Sequence, residues 1–398
     1  MNIMLDQAPT GAEAYRLHLN FPFIAISGSN GKTTVKSMLA HILRQAGRVY
    51  EFSGESDTAA EIARELAAIQ PPQDWAVLKI GAAIPGESRT AARLIKPDLA
   101  IITNIGEAHL DHYERIEDIA AAKLELLNAL TPGGIAILNR DNEYTRLMGL
   151  NRAGKVIYYG LSSVSDYYAD AIQHHGPEGT SFTIHSRGGS EASVRMALYS
   201  LGDVYNALAA YATAAELGIP AGTITNALEH GFTLPEGRGR LHSFPGLHIL
   251  DDTHDATPQS FYKSTKSLVN FRRYAKRLIF VMGKMTEIGG QTRVMHTMMG
   301  HYLAGMPIDI AILVGEYAAA SATPIATATG RRKRVITCAT VEEACAWLQK
   351  NLKDGDVVLV EGGETINMSA IVSELVRFGR DTGMRTPSAN PPLHSLTG

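Results

Sequence analysis

The stretch Phe23-Ile24-Ala25-Ile26, followed after Ser27 by Gly28-Ser29-Asn30-Gly31-Lys32-Thr33-Thr34, decides how this chain is read. Four consecutive apolar residues suit a buried strand, and the apolar periodicity from about Thr33 to Gln45, closed by Gly47, suits a helix. Two glycines and a lysine between strand and helix are what a phosphate-binding loop needs. Backbone N–H groups at a helix N-terminus point at an anion and carry the positive end of the helix dipole. Glycine lets the backbone approach a phosphate with no Cβ in the way. Lys32 can reach terminal phosphates, and Thr33 or Thr34 can offer a hydroxyl to Mg²⁺. The general G-x-x-x-x-G-K-[ST] pattern is met only in part, because Ile26 stands where its first glycine belongs. A glycine turn of purely structural use is the alternative.

Outward from this loop, short apolar runs alternate with longer helical patterns, the mark of a parallel α/β sheet. Strands are expected at Val77–Ile80, Leu99–Thr103 and Ile135–Leu138, with a helix from about Ile116 to Leu130 that stops at Thr131-Pro132-Gly133-Gly134. From about Val156 to Leu198, short alternating runs read as a small antiparallel section. Helical patterns return at Asn206–Leu217 and Thr223–His230, and Pro235-Glu236-Gly237-Arg238-Gly239-Arg240 reads as a hinge. A strand near His248–Leu250 opens a second α/β run, continued by Leu278–Met282, Ile310–Val314 and Val357–Val360. The expected fold is α/β: a central ATP-binding domain over 1–237, a Rossmann-like C-terminal domain over 238–382, and a mobile tail over 383–398.

Composition narrows the function classes. At roughly 100–200 residues per domain, 398 residues make two or three domains. A net charge of −3 gives no basic field for nucleic acid, and the run Arg331–Arg334 reads as a solvated turn before a strand. Cys338 and Cys345 make neither a disulfide framework nor a metal site. Without a signal-peptide pattern or an apolar stretch of about 18 residues, a cytoplasmic protein that engages no membrane is expected.

Several further blocks, in order, give the chain its resemblance to the Mur ligases, and most closely to their D-alanyl-D-alanine-adding branch. Besides the loop, these are Thr103-Asn104-Ile105-Gly106-Glu107-Ala108-His109-Leu110-Asp111, Ala121-Ala122-Lys123-Leu124-Glu125, Gly237-Arg238-Gly239-Arg240-Leu241, Asp251-Asp252-Thr253-His254-Asp255-Ala256-Thr257-Pro258, and Gly283-Lys284-Met285-Thr286-Glu287-Ile288-Gly289 with His296 beyond. The resemblance implies amide-bond formation between a carboxylate and an amine through an acyl phosphate, with ATP and Mg²⁺. It makes His109 a metal ligand, and Lys123 a carbamylated lysine at a second metal. It puts Arg238 on phosphate, Asp252 on the nucleotide, and Asp203 with Asn206 by the adenine. The catalytic set it implies is Lys32, Lys123 and His109, and Lys79 is expected to join it although it departs from the family's pattern. The loop residues Gly28, Ser29, Asn30, Gly31, Lys32, Thr33 and Thr34 form the nucleotide site.

The departures matter as much. Lys79 occupies the place of a metal-binding glutamate, and an ammonium cannot ligate Mg²⁺. Lys79 either contacts phosphate directly, or marks a catalytically silent nucleotide-binding subunit that works with a partner, or leaves Glu55, Glu61 or Glu87 to supply the carboxylate. Lys284 replaces an aspartate, Asp203 an asparagine, and Val360-Glu361-Gly362-Gly363-Glu364 a Lys-Gly-Ser-Arg-like stretch. Ahead of Gly28 stand too few residues for a separate UDP-sugar domain, so a substrate other than a UDP-muramyl peptide is expected. Small-molecule carboxylate and amine substrates are the expected partners, with a homo-oligomer or partner subunit open.

Among the other residues, His174 and His175 read as exposed, and Met295, Met298 and Met299 as core. His112 is a possible neighbour of a metal ligand. Asp111 suits a residue that orients a ligand or an N-cap equally. His254 suits nucleotide stacking, proton acceptance or a plain turn.

Overall fold

The structure is a computed structural model and describes residues 10–53, 58–81, 85–106, 112–286, 288–328 and 333–381. His109, Asp111, Glu55 and the tail from 383 lie outside the described residues. The chain forms two compact units, Met1–His174 with Thr180–Thr233, and His175–Gly179 with Leu234–Gly398.

The first unit runs α1 (Thr10–His18), β1 (Phe23–Ser27), α2 (Lys32–Leu43), β2 (Val49–Glu51), α3 (Ala59–Ala68), β3 (Trp75–Lys79), α4 (Glu87–Ile95), β4 (Leu99–Ile102), α5 (Ile116–Asn128), β5 (Ile135–Asn139), α6 (Glu143–Leu150), β6 (Lys155–Gly160), β7 (Tyr167–His174), β8 (Thr180–Ser186), β9 (Glu191–Met196), α7 (Leu201–Glu216) and α8 (Ala221–Glu229). Its sheet has the order β2-β3-β1-β4-β5-β6-β7-β8-β9. Strands β1 and β4 are buried at every position. Such unbroken apolar runs are what a strand covered by helices on both faces needs. Helix α2 packs with α7 and α8, while α5 packs with α4. The chain therefore leaves the adjacent strands β1 and β4 in opposite directions and opens a crevice at their C-terminal ends, where α/β sheets bind ligands. The core on the α5 side includes Phe23, Leu78, Ile102, Ile119, Leu126 and Leu138.

The section expected to be antiparallel from Val156 differs at its start. Strand β6 pairs parallel with β5, and only β7–β8 and β8–β9 are antiparallel. These hairpins extend the same sheet, so one hydrogen-bonded ladder continues from parallel to antiparallel pairing.

The second unit runs β10 (Arg240–Phe244), β11 (Leu247–Asp252), α9 (Pro258–Asn270), β12 (Arg277–Met282), α10 (Thr292–Gly305), β13 (Ile310–Val314), α11 (Gly315–Ala319), α12 (Ala322–Thr327), β14 (Arg334–Cys338), α13 (Val341–Asn351), β15 (Asp356–Glu361) and α14 (Ser369–Asp381). Its order is β10-β11-β15-β12-β13-β14, parallel except for the hairpin strand β10. β15, buried throughout, lies between β11 and β12. Met299 joins the core at 1% exposure, but Met298 is 51% exposed, contrary to the core expectation. It lies one residue, about 100° of helix, from Met299 and so faces solvent. His174 and His175 are half-buried rather than exposed, with His174 Nδ1 2.9 Å from Thr180 Oγ1.

Helix α7 begins earlier than its apolar pattern suggests, because Ser200 caps it. The Ser200 hydroxyl accepts from the Asp203 N–H at 3.1 Å and donates to the Asp203 carboxylate at 2.6 Å. Ser200→Ala is expected to cost about 1 kcal/mol of unfolding free energy in a urea titration.

Candidate nucleotide site

The loop after β1 is held in shape by the segment after β4. The Ser29 N–H donates to Asn104 O at 2.8 Å, and the Asn30 N–H donates to Asn104 Oδ1 at 3.1 Å. Asn104 Nδ2 returns a bond to Asn30 O at 3.1 Å, and the Thr103 hydroxyl gives another at 2.5 Å. Ser29 Oγ and the Gly106 backbone exchange two more, at 3.1 and 3.0 Å. These bonds fix the loop at the crevice between β1 and β4 before any ligand arrives.

Two glycines are obligatory there. Gly28 has φ +140°, and a Cβ on it would run into the Thr103 hydroxyl. Gly31 has φ +87°, and a Cβ on it would run into the Asn206 amide. Gly31 is the N-cap of α2 and offers no side-chain acceptor, so the helix N-terminus is open to an anion. The Lys32 ammonium lies over the loop, 2.9 Å from Gly28 O and 3.3 Å from Ser29 O. Thr33 is half-exposed, whereas Thr34 is 4% exposed.

The structure brings Asn206 to the loop through α7, and Lys79 to the neighbouring strand end, where it registers opposite Ile26. Asp203 is 1% exposed and engaged in the α7 cap. Lys123 sits on α5 with no exposed surface. An ammonium removed from water needs an opposite charge or must change its chemistry, so this burial is compatible with carbamylation. Glu61 lies in the first turn of α3, 3.6 Å from Arg64, and the Glu87 charge helps burial push the Tyr113 hydroxyl up. A cleft of about 410 Å³ beside α5 is lined by residues including Arg89, His112, Tyr113, Asp118 and Glu125. Among the described residues no group of three or more His, Cys, Asp or Glu side chains could hold a metal ion. Of the residues expected at the metal, Thr33 and Lys123 are described and His109 lies outside the described residues.

In the second unit, Arg238 pairs with Asp255 at 2.7 Å. Asp251 ties the hinge segment, accepting from the Gly237 N–H at 2.9 Å, while its own carbonyl accepts from the Gly239 N–H at 2.7 Å. Asp252 is 7% exposed and registers beside Glu361. His254 is half-buried, with its backbone against Gly237. Lys284 lies over the Tyr317 ring, 4.9 Å from its centroid. His296 is fully buried; Nδ1–H donates to Thr292 O at 2.7 Å, and Nε2 accepts from the Met285 N–H at 3.0 Å. The residues that sequence reading missed are Thr103 and Asn104 as the loop's clasp, and Ser200 as the α7 cap. The Ser-x-x-Asp spacing signalled the cap, whereas the clasp depends on two strands meeting.

The family model of the Mur ligase middle domain matches residues 26–214, and that of the Mur ligase, glutamate ligase domain matches residues 237–363. The UDP-N-acetylmuramoyl-tripeptide--D-alanyl-D-alanine ligase of Bacillus subtilis is 29% identical over 94% of this chain and 81% of its own. A crystal structure of MurF from Acinetobacter baumannii superposes with a TM-score of 0.82 at 25% identity, covering 92% of this chain and 79% of that one. MurF from Thermotoga maritima, in complex with ADP, shares the fold with a TM-score of 0.83 at 20% identity, over 96% and 86% of the two chains.

Fold and relatives together define the class of ATP-dependent, ADP-forming amide ligases. The chain belongs to the Mur ligase family. No described helix is long and apolar enough to cross a membrane. The expectation of a substrate other than a UDP-muramyl peptide is not supported, since the relatives that match 94% of this chain are named as UDP-N-acetylmuramoyl-tripeptide--D-alanyl-D-alanine ligases.

Two outcomes follow from these contacts. Gly31→Ala is expected to weaken ADP binding at least about tenfold by calorimetry, through backbone strain and collision with Asn206. Burial lowers the affinity of His296 for a proton. Its contribution to stability is therefore present above about pH 6.5 and is lost as the pH falls below that value. Urea titrations from about pH 7 to pH 5 should show a smaller loss in His296→Gln than in the unaltered protein.

Proposed function

We propose that this chain joins a peptidyl carboxylate to the amine of a dipeptide, with UDP-N-acetylmuramoyl-tripeptide as donor and D-alanyl-D-alanine as acceptor. Those are the substrates named for the relatives that match it along most of its length. The observation that carries the reading is the clasped loop with Gly28 and Gly31 in conformations only glycine adopts freely.

In this reading the phosphates of ATP lie on the α2 N-terminus. Lys32 exchanges the carbonyls of Gly28 and Ser29 for phosphate oxygens. Asn206, beside Gly31, faces the nucleotide, while Asp203 holds the start of α7. Thr33, the more exposed of the two threonines, and carbamylated Lys123 would hold Mg²⁺, as would His109. When bound, that ion neutralises charge on the transferring phosphate. A donor carboxylate oxygen attacks the γ-phosphorus, the bond to ADP breaks, and an acyl phosphate forms. The amine then attacks the acyl carbon, and inorganic phosphate leaves with the bonding pair. Most of the catalysis is positioning and charge neutralisation. Lys79, at the end of β3 next to β1, contacts phosphate in place of one metal.

Lys79 is also what favours the second reading, a silent nucleotide-binding subunit. Measuring ADP release with Mg²⁺-ATP, the donor and the acceptor separates the two. The ligase reading expects ADP only when both substrates are present, an amide product, and a loss of at least about a hundredfold in Lys32→Met. Tight ATP binding with no ADP under any acid–amine pair would support the silent reading. Turnover appearing in Lys79→Glu would then locate the defect.

A further inference from the structure

The segment Thr103–Gly106, which clasps the phosphate loop, is itself gripped from its other side by the turn that joins β5 to α6, Asn139-Arg140-Asp141-Asn142. Asn142 gives its whole amide to one residue. Its Oδ1 accepts from the Ile105 N–H at 3.2 Å, and its Nδ2–H donates to Ile105 O at 2.9 Å. Asn139 Nδ2–H donates to Thr103 O at 3.1 Å, and the Tyr159 hydroxyl of β6 adds a second bond to that carbonyl at 3.2 Å. Burial pushes the Tyr159 hydroxyl up, so it stays protonated and donates. The same turn reaches α7. The Asp141 carboxylate accepts from the Tyr205 hydroxyl at 2.9 Å, and Tyr205 precedes Asn206, whose amide stands against Gly31. The turn is tied within itself as well, with Asn139 Oδ1 accepting from the Asp141 N–H at 3.0 Å.

The Thr103 carbonyl and both backbone groups of Ile105 therefore go to the turn, while the Asn104 carbonyl and both backbone groups of Gly106 go to Ser29 of the phosphate loop. Such alternation is that of a strand, so the segment acts as a short strand held between loop and turn. Ile105 is 4% exposed, and without Asn142 its N–H and C=O would be left without water or partner. Asn142 also caps α6, accepting from the Thr145 N–H at 3.2 Å. Capping alone does not account for it, because serine and aspartate cap as well and the cap uses only Oδ1. One peptide unit that needs both a donor and an acceptor is met by an amide, whereas an aspartate supplies only acceptors.

We propose, on the reading of the loop as the nucleotide site, that Asn142 is a positioning residue for the nucleotide, acting through Ile105 and Asn104 on the backbone of Ser29 and Asn30. Asn139 and Asp141 assist it from the same turn. Asn142 touches no substrate. It keeps the free protein's loop in the form that binds, and its loss lowers the fraction of molecules in that form, which weakens affinity in proportion.

The test is calorimetric titration of ADP into the full chain, unaltered and as Asn142→Ser, at a temperature where urea titrations show both folded. Asn142→Ser keeps a cap on α6 and removes the grip on Ile105. ADP should bind about tenfold more weakly, as expected for the loss of a hydrogen bond or two behind the loop. A variant that is merely less stable, yet folded, binds ADP as the unaltered protein does. Amide hydrogen exchange without ligand should speed up about tenfold over residues 27–34 and stay unchanged over residues 36–43 of α2. Where Asn142→Ser does not fold, Asn142→Asp takes its place. It keeps the cap and sets an oxygen against Ile105 O, and it is compared with the unaltered protein in about 1 M salt, which screens the added charge. ADP affinity unchanged in the variant overturns the positioning role, as does faster exchange spread evenly through the first unit. An unaltered protein that binds no ADP overturns the nucleotide reading instead.

Discussion

The exchange of hydrogen bonds between Asn104 and the Ser29–Asn30 backbone is the constraint on which the nucleotide site depends. A glycine-rich loop left alone would sample many conformations, and a ligand would have to pay for ordering it. Here the ordering is done on folding, by groups from the neighbouring strand end. The clasp exists because β1 and β4 are adjacent in space although far apart in sequence, with β2 and β3 threaded to the other side. Sheet order therefore sets the site, and the loop residues are selected to fit it. Thr103 and Asn206 occupy the volume that Cβ atoms at Gly28 and Gly31 would need, one from each side.

Much of this was legible because buried parallel strands carry continuous apolar runs. Phe23–Ser27, Ile310–Val314 and Asp356–Glu361 lie within a residue or two of their expected bounds. The edges were not. Val49–Glu51 and Arg240–Phe244 are half-buried strands with little apolar alternation, and their strand character comes from the neighbour they pair with. β6 was taken for part of the antiparallel section because pairing direction leaves no mark on a short strand's side chains. Met298 shows the limit of spacing arguments: three methionines at helical intervals suit a core stripe, yet only Met299 points fully inward.

The glycines, Lys32 and Asn206 meet where their pattern implies, because the strand–loop–helix context dictates the backbone. Asp203 was read as a nucleotide contact, and the structure engages it in a helix cap. Asn104 was quoted as part of a block, but its role as a clasp requires knowing that its strand end meets the phosphate loop. Glu361 appeared in the sequence as a departure from a pattern. Its burial, and an oxygen without a partner among the described residues, are properties of the three-stranded centre β11-β15-β12, which no local stretch encodes.

Each unit thus keeps a charged type of residue where water has been removed, Lys123 in the first and Glu361 in the second, both with no exposed surface. A fold under selection for stability alone would fill such positions with apolar side chains, since an ionised group without compensation is among the most costly things to bury. Their presence is therefore an argument about chemistry. A lysine can leave the problem by becoming a carbamate, and a glutamic acid by holding its proton. The buried position supplies the leverage, because a charge formed at low dielectric acts on its neighbour more strongly than the same charge at the surface.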